Sequence, residues 1–196
     1  MKKENVLVVS KEELNRHFNL QREFWSVKKS DIDALQSYYV PRSLAESDFN
    51  AKQLIPYAVI SDAEGRYLTY NRHGSERRLK GVFSVGIGGH VNDGDKSDGN
   101  YNTLIAGLER EVTEEIGIRL VGSNISLMGM INEDVSEVGH CHIGIVFKAK
   151  LMGATPSFDA EIENPQWLTM QDIDLGQFEL WSSLALKLVC GEEKLV

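Results

Sequence analysis

The sequence predicts an α/β (α+β) domain with a mixed sheet, and three observations predict it. Short runs of strand character begin at Leu54 and recur to Leu168. An amphipathic helix, TLIAGLEREVTEEIG, interrupts them, and a second, FELWSSLALKLV, follows them. Strands broken by helices are the signature of sheets covered by helical layers. With 196 residues, 42% of them hydrophobic and 26% charged, the chain suits one globular domain with an extension.

In order, Ser10-Lys11-Glu12-Glu13 has the S-x-x-E form of a helix capping box, with Leu14, His17 and Phe18 following at helical spacing. A weaker helical segment starts at Ser30. Residues 1–53 therefore read as a partly helical N-terminal extension, and residues 54–196 as the main domain. LIPYAVIS and RYLTYNR flank Asp62-Ala63-Glu64-Gly65, a hairpin with Gly at its turn. VFSVGIGGHV is the next strand, then a polar loop, then the helix that Gly117 ends. ISLMGMI, CHIGIVFKAKL and Gln166-Trp167-Leu168 complete the strands before the C-terminal helix.

Composition excludes some functions. A formal charge of -8 argues against sequence-independent nucleic-acid binding, which depends on Lys and Arg neutralising phosphates. It leaves room for small phosphorylated ligands, because a bound cation reverses the local field. No apolar run is long enough to span a membrane, and VLVV near the N-terminus is too short for a signal peptide. Cys141 and Cys190 form no metal-ligand pair or spaced framework and read as reduced thiols. These absences together give a cytoplasmic expectation.

The chemistry concentrates in REVTEEIGI, residues 110–118. On a helix, Glu114 and Glu115 fall on either side of Glu111, about 60° and 40° away, so all three carboxylates share one face. Leu104, Leu108, Val112 and Ile116 make an apolar stripe beside them. Like charges at this spacing destabilise a helix unless a cation sits among them, and hard oxygen ligands suit magnesium or manganese. The competing reading, a solvated helix face, has comparable weight on these residues alone. Upstream, Gly88-Gly89-His90-Val91-Asn92-Asp93-Gly94-Asp95 ends a strand with adjacent glycines, which let backbone approach a ligand or metal.

Together these segments resemble the Nudix box, G-x5-E-x7-R-E-U-x-E-E-x-G-U with U aliphatic. Arg110, Glu111, Val112, Glu114, Glu115, Gly117 and Ile118 match its second half at every specified position. Gly89 to Asp95 matches the first half in spacing, with Asp in place of Glu. Fourteen residues separate Asp95 from Arg110 where the pattern has seven, and removing a polar insert such as KSDGNYN, read as a loop before the helix, restores the register. The resemblance implies a Nudix-like α/β/α sandwich and hydrolysis of a nucleoside diphosphate linked to another moiety, with Mg²⁺ or Mn²⁺. It implies Glu111, Glu114 and Glu115 as metal ligands, with the carbonyl of Gly88 or Gly89 as a further one. Arg110 becomes a residue that orients box carboxylates, with Asp95, one methylene shorter than Glu, as its partner. Glu161, about six residues before Trp167, becomes the acid of a later loop that serves as metal ligand or general base. Glu163, Glu133, Asp134 and Glu137 compete for that role, the last three reading more simply as a hydrated loop.

His140 and His142 alternate with Cys141 along a strand and face one side, where such histidines line a pocket or satisfy hydrogen bonds and His142 is a candidate for contact with substrate; a zinc site is the less favoured reading, because no further Cys or His stands at ligand spacing. Arg72, His73, Arg77, Arg78 and Lys80 gather positive charge before the glycine strand, where Arg72, Arg77 and Arg78 suit substrate phosphates as well as they suit a solvated basic loop. Phe83, Tyr101 or the N-terminal segment supplies aromatic surface for a base. The expected partner is a small phosphorylated metabolite or nucleotide, with a homodimer through the N-terminal segment as the family-like assembly. Two other functions stand beside the hydrolase: a non-catalytic module that binds a nucleotide or sugar phosphate, and an isopentenyl diphosphate isomerase-like enzyme using Cys141.

Overall fold

A computed structural model describes residues 4–72, 82–121 and 124–191, with the side chain of Arg72 outside the described set. Its centre is the strand β4 (Ala51–Ser61), in which all eleven residues are buried. Before it come β1 (Asn5–Ser10), α1 (Lys11–His17), β2 (Phe24–Trp25), α2 (Lys29–Asp33), β3 (Ser37–Pro41) and α3 (Arg42–Ala45). After it come β5 (Tyr67–Arg72), β6 (Phe83–Ser84), β7 (Gly86–Gly88), α4 (Gly99–Ile116), β8 (Ile125–Ile131), α5 (Glu137–Cys141), β9 (His142–Lys150), β10 (Ile162–Leu168) and α6 (Leu180–Cys190).

Along one edge of β4 runs β9, parallel, from Gln53↔His142 to Ser61↔Lys150. The opposite edge is shared by β1 at residues 51–53, β7 at 57–59 and β5 at 61, all antiparallel. The sheet is therefore mixed, in the order β10-β5-β4-β9-β8-β2, with β1, β3, β6 and β7 attached beside that path. The hairpin expected at Asp62–Gly65 forms, with Gly65 at φ +82, where a side chain would be strained.

Helices cover both faces. The α4 stripe of Leu104, Leu108, Val112 and Ile116 is fully buried against Leu54, Ala58, Ile60, Ile87, Ile143, Ile145 and Phe147. On the other face α6 buries Leu184, Ala185 and Leu186 against Tyr57, Val59, Val85 and Val146. This is the expected α/β/α arrangement with a mixed sheet.

Two features differ from the sequence reading. The boundary drawn at residue 53 falls inside β4, and β1 pairs with both β3 and β4, so the first stretch shares the sheet with the rest. VLVV, four consecutive apolar residues, is a strand buried on both faces. The insert also is not wholly a loop: α4 starts at Gly99, so Gly99, Asn100, Tyr101 and Asn102 lengthen the helix. Its first turn is held by α2 and the residues after it. Asp33 accepts the Tyr101 backbone amide at 2.8 Å, and the Asn100 side-chain Nδ2 donates to the carbonyls of Ile32 (3.1 Å) and Leu35 (2.7 Å).

Candidate active site

Packing fixes where α4 presents its acids. With the apolar stripe turned to the sheet, Arg110, Glu111 and Glu114 lie beside the end of β7, where the chain leaves the sheet through Gly88, Gly89 and His90. Backbone contact requires Gly88, and the Glu111 carboxylate closes in on Gly89. A Cβ at Gly88 would stand 2.0 Å from the Pro56 carbonyl oxygen, and one at Gly89 would stand 2.5 Å from a Glu111 carboxylate oxygen. Glu111 thus rests directly on the backbone of Gly89.

Arg110 binds this corner together. Its Nε and Nη2 donate to the two oxygens of Asp95, each at 2.9 Å, a two-pronged contact that the shorter side chain makes fully. Nη1 donates to Glu111 at 2.7 Å and Glu114 at 3.3 Å, and Nη2 also donates to the His90 carbonyl at 2.8 Å. Asp95 is buried and accepts the Asn92 amide at 2.9 Å as well. The hydrogen bonds to Asp95 push Arg110 further up from its already high pKa. Glu111 is nevertheless raised above the ordinary carboxylate range. Burial is the main cause, and the charges of Glu114 and Asp95 add to it, outweighing the pull of Arg110.

One guanidinium among three carboxylates leaves this corner with an excess of negative charge. Among the described residues, no group of three Asp, Glu, His or Cys side chains is gathered as a metal site; Arg110 lies between Glu111 and Glu114 instead. The donor chemistry still fits a hard divalent cation. A half-buried carboxylate whose ionised form is disfavoured, Glu111, lies over the Gly89 backbone, with a second carboxylate, Glu114, 60% exposed beside it.

Glu115 is half-buried, and its backbone meets the loop before β10. The Asp159 amide donates to the Glu115 carbonyl at 2.8 Å and the Ser157 amide to the Ile116 carbonyl at 2.9 Å. This docks the loop carrying Glu161 on the C-terminal end of α4; Glu161 itself is exposed, its amide donating to Asp159. Gly117, at φ +66, ends the helix there.

The competing acids have other work. Burial would raise Glu133, but the Ser136 hydroxyl and the amides of Ser136 and Val135 outweigh it and hold its carboxyl low. Asp134 accepts from Lys52, a fully buried lysine of β4, at 2.9 Å. Lys52 also donates to the carbonyls of Gly139 (2.6 Å) and His142 (3.3 Å), fastening the segment before β9 to β4. Glu133 is buried, against the hydrated-loop reading, whereas Asp134 is exposed in a loop as that reading has it.

His140 and His142 do not share a strand. His140 belongs to α5, stacking edge-on with Phe49, and β9 begins at His142. His142 is only 9% exposed and meets His90, a residue that sequence reasoning passed over, at 3.2 Å between their Nε2 atoms. Burial, with the charges of Arg42, His142 and Arg110, pushes His90 down to about 3. Burial likewise lowers His142. Phe83 is stacked with Phe178, and Tyr101 with Phe147 and the Lys29 ammonium, so both are engaged in packing. Cys141 is buried, which pushes its thiol up, opposite to an activated nucleophile. Arg77, Arg78, His73 and Lys80 lie outside the described residues, as does the side chain of Arg72, whose backbone ends β5 opposite Ile162. Among the described residues no helix is long and apolar enough to cross a membrane.

A two-faced mixed sheet with the glutamate helix packed across it and an arginine-bridged acid corner at its edge defines a Nudix protein. The comparisons agree: the chain belongs to the Nudix hydrolase superfamily. It is 31% identical over 160 residues to Protein YmaB of Bacillus subtilis (strain 168), covering 76% of each chain. The crystal structure of Tm1382, a Nudix hydrolase family protein, superposes with a TM-score of 0.79 at 29% identity, covering 94% of this chain and 97% of that one. The MutT protein of Methanosarcina mazei Go1 follows at a TM-score of 0.53 and 25% identity, covering 71% and 94%. No family model matches the chain.

Proposed function

We propose that this protein is a metal-dependent pyrophosphohydrolase that cleaves a nucleoside diphosphate linked to another moiety, with water attacking phosphorus. The observation that carries the reading is the acid corner, in which Glu111 is packed against Gly89 with its charge only partly compensated by Arg110. Glu111, Glu114 and Glu115 would hold Mg²⁺ or Mn²⁺, with a carbonyl of Gly88 or Gly89. When bound, the cation neutralises the diphosphate and lowers the pKa of water near phosphorus.

The chain's own residues do the rest. Arg110 is anchored by Asp95 and aims the carboxylates of Glu111 and Glu114; being always charged, it orients without exchanging protons. Glu161, on the loop docked to the end of α4, takes the proton of the attacking water as general base. Arg72, Arg77 and Arg78 supply positive charge to the substrate phosphates, a role that rests on their place in the sequence. His142, with both ring nitrogens engaged, contributes through His90 rather than by direct contact.

Hydrolysis of nucleotide sugars, dinucleoside polyphosphates and nucleoside triphosphates with Mg²⁺, comparing wild type with Glu114→Gln, tests this reading. Turnover that disappears in the variant supports it and identifies the substrate class. Binding without turnover in the wild type would favour a sensor module instead.

A further inference from the structure

The two histidines meet from opposite edges of β4. His90 follows β7, which lies along one edge, and His142 opens β9, which lies along the other. The hydrogen-bond roles follow from the partners. His142 Nδ1 is 2.7 Å from the Val138 carbonyl oxygen, which can only accept, so Nδ1 carries the proton. The Nε2 of a neutral His142 is then an acceptor, and His90 Nε2–H donates to it at 3.2 Å.

His90 is therefore held twice. Its carbonyl accepts from Arg110 at 2.8 Å and its imidazole is fixed by His142, which the buried Lys52 holds through its own carbonyl. Immediately before it lie two glycines, the least constrained residues for a backbone that must keep one position. We propose that His90 is a positioning residue: pinned by His142 across β4, its imidazole holds the Gly88–Gly89 strand end against Glu111, setting the geometry of the metal corner.

This inference rests on the metal reading of the box, and a displacement of about 1 Å in such a site is costly. Support of a ligand from behind is worth roughly 10–100-fold in metal affinity. The test has two readouts besides turnover. Ring ¹⁵N spectra of the metal-free protein should show His142 protonated at Nδ1 and His90 at Nε2. Mn²⁺ titration followed by electron paramagnetic resonance should give His90→Ala and His142→Ala dissociation constants raised about tenfold. The double variant should be no worse than either single one, because one contact is lost in all three. His90→Gln, whose amide reaches as far as Nε2, should bind Mn²⁺ nearly as wild type, whereas His90→Asn, one bond shorter, should not. Rescue by Gln but not Asn also separates this role from general loss of folding. Wild type that binds no Mn²⁺ overturns the metal reading and this inference with it. Wild type that binds, with His90→Ala binding equally or the Ala effects adding, overturns this inference alone, as does a His142 ring protonated at Nε2.

Discussion

Two of the charge clusters among the described residues are built on opposite principles. Around Lys52, one buried ammonium faces one carboxylate, Asp134, and two carbonyls, while next to it Glu133 collects three hydrogen bonds that hold its carboxyl below the usual range. Around Arg110, three carboxylates compete for one guanidinium, and one of them, Glu111, is raised rather than lowered. The first cluster closes its hydrogen bonds from within and fastens β4 to the segment before β9, although burial lowers the pKa of Lys52. The second is left in need of positive charge, and that need distinguishes a site from a clamp.

Each cluster can be broken separately. The largest effect is expected from Glu114→Gln, which removes a ligand charge at the exposed mouth of the corner and should lower turnover more than about 100-fold with stability little changed, measured by steady-state kinetics and thermal unfolding. Lys52→Met should show the reverse. It leaves the Gly139 and His142 carbonyls without their donor and should cost about 3 kcal/mol in denaturant unfolding. Glu133→Gln should cost about 1–3 kcal/mol at neutral pH. Because the folded pKa of Glu133 is depressed, its contribution is present above the ordinary carboxylate pKa and fades as pH falls through the folded value, so the gap between wild type and variant should close on acidification. Smallest is Asp95→Glu, which supplies the residue of the family pattern. Asp95 already makes both bonds to Arg110 and is buried, so the added methylene should destabilise by about 1 kcal/mol and raise no activity.

The acid corner was readable in sequence because it is local. Arg110, Glu111 and Glu114 sit within one turn and a third of a helix whose apolar stripe fixes its orientation. The pairing of Asp95 with Arg110 was readable only through the motif. The clamp was not readable, since Lys52 and Asp134 lie 82 residues apart and His90 and His142 lie 52 apart, joined solely by the register of β4 with its neighbours. The same limit hid the true start of α4. Gly99 and Asn100 are poor helix formers by propensity, and their cap comes from Asp33, 68 residues before the amide it accepts. Strand β1 was hidden differently: a continuous apolar run carries no alternation when both faces are buried.

The claim that the Arg110 corner lacks positive charge is tested most directly by melting wild type and Glu111→Gln with and without Mn²⁺. Because the fold disfavours ionised Glu111, the metal-free variant should melt at or above the wild-type temperature. Mn²⁺ should then raise the melting temperature of the wild type by mass action and leave that of the variant unmoved. A variant that melts lower without metal, or that Mn²⁺ stabilises as much as the wild type, would contradict the account.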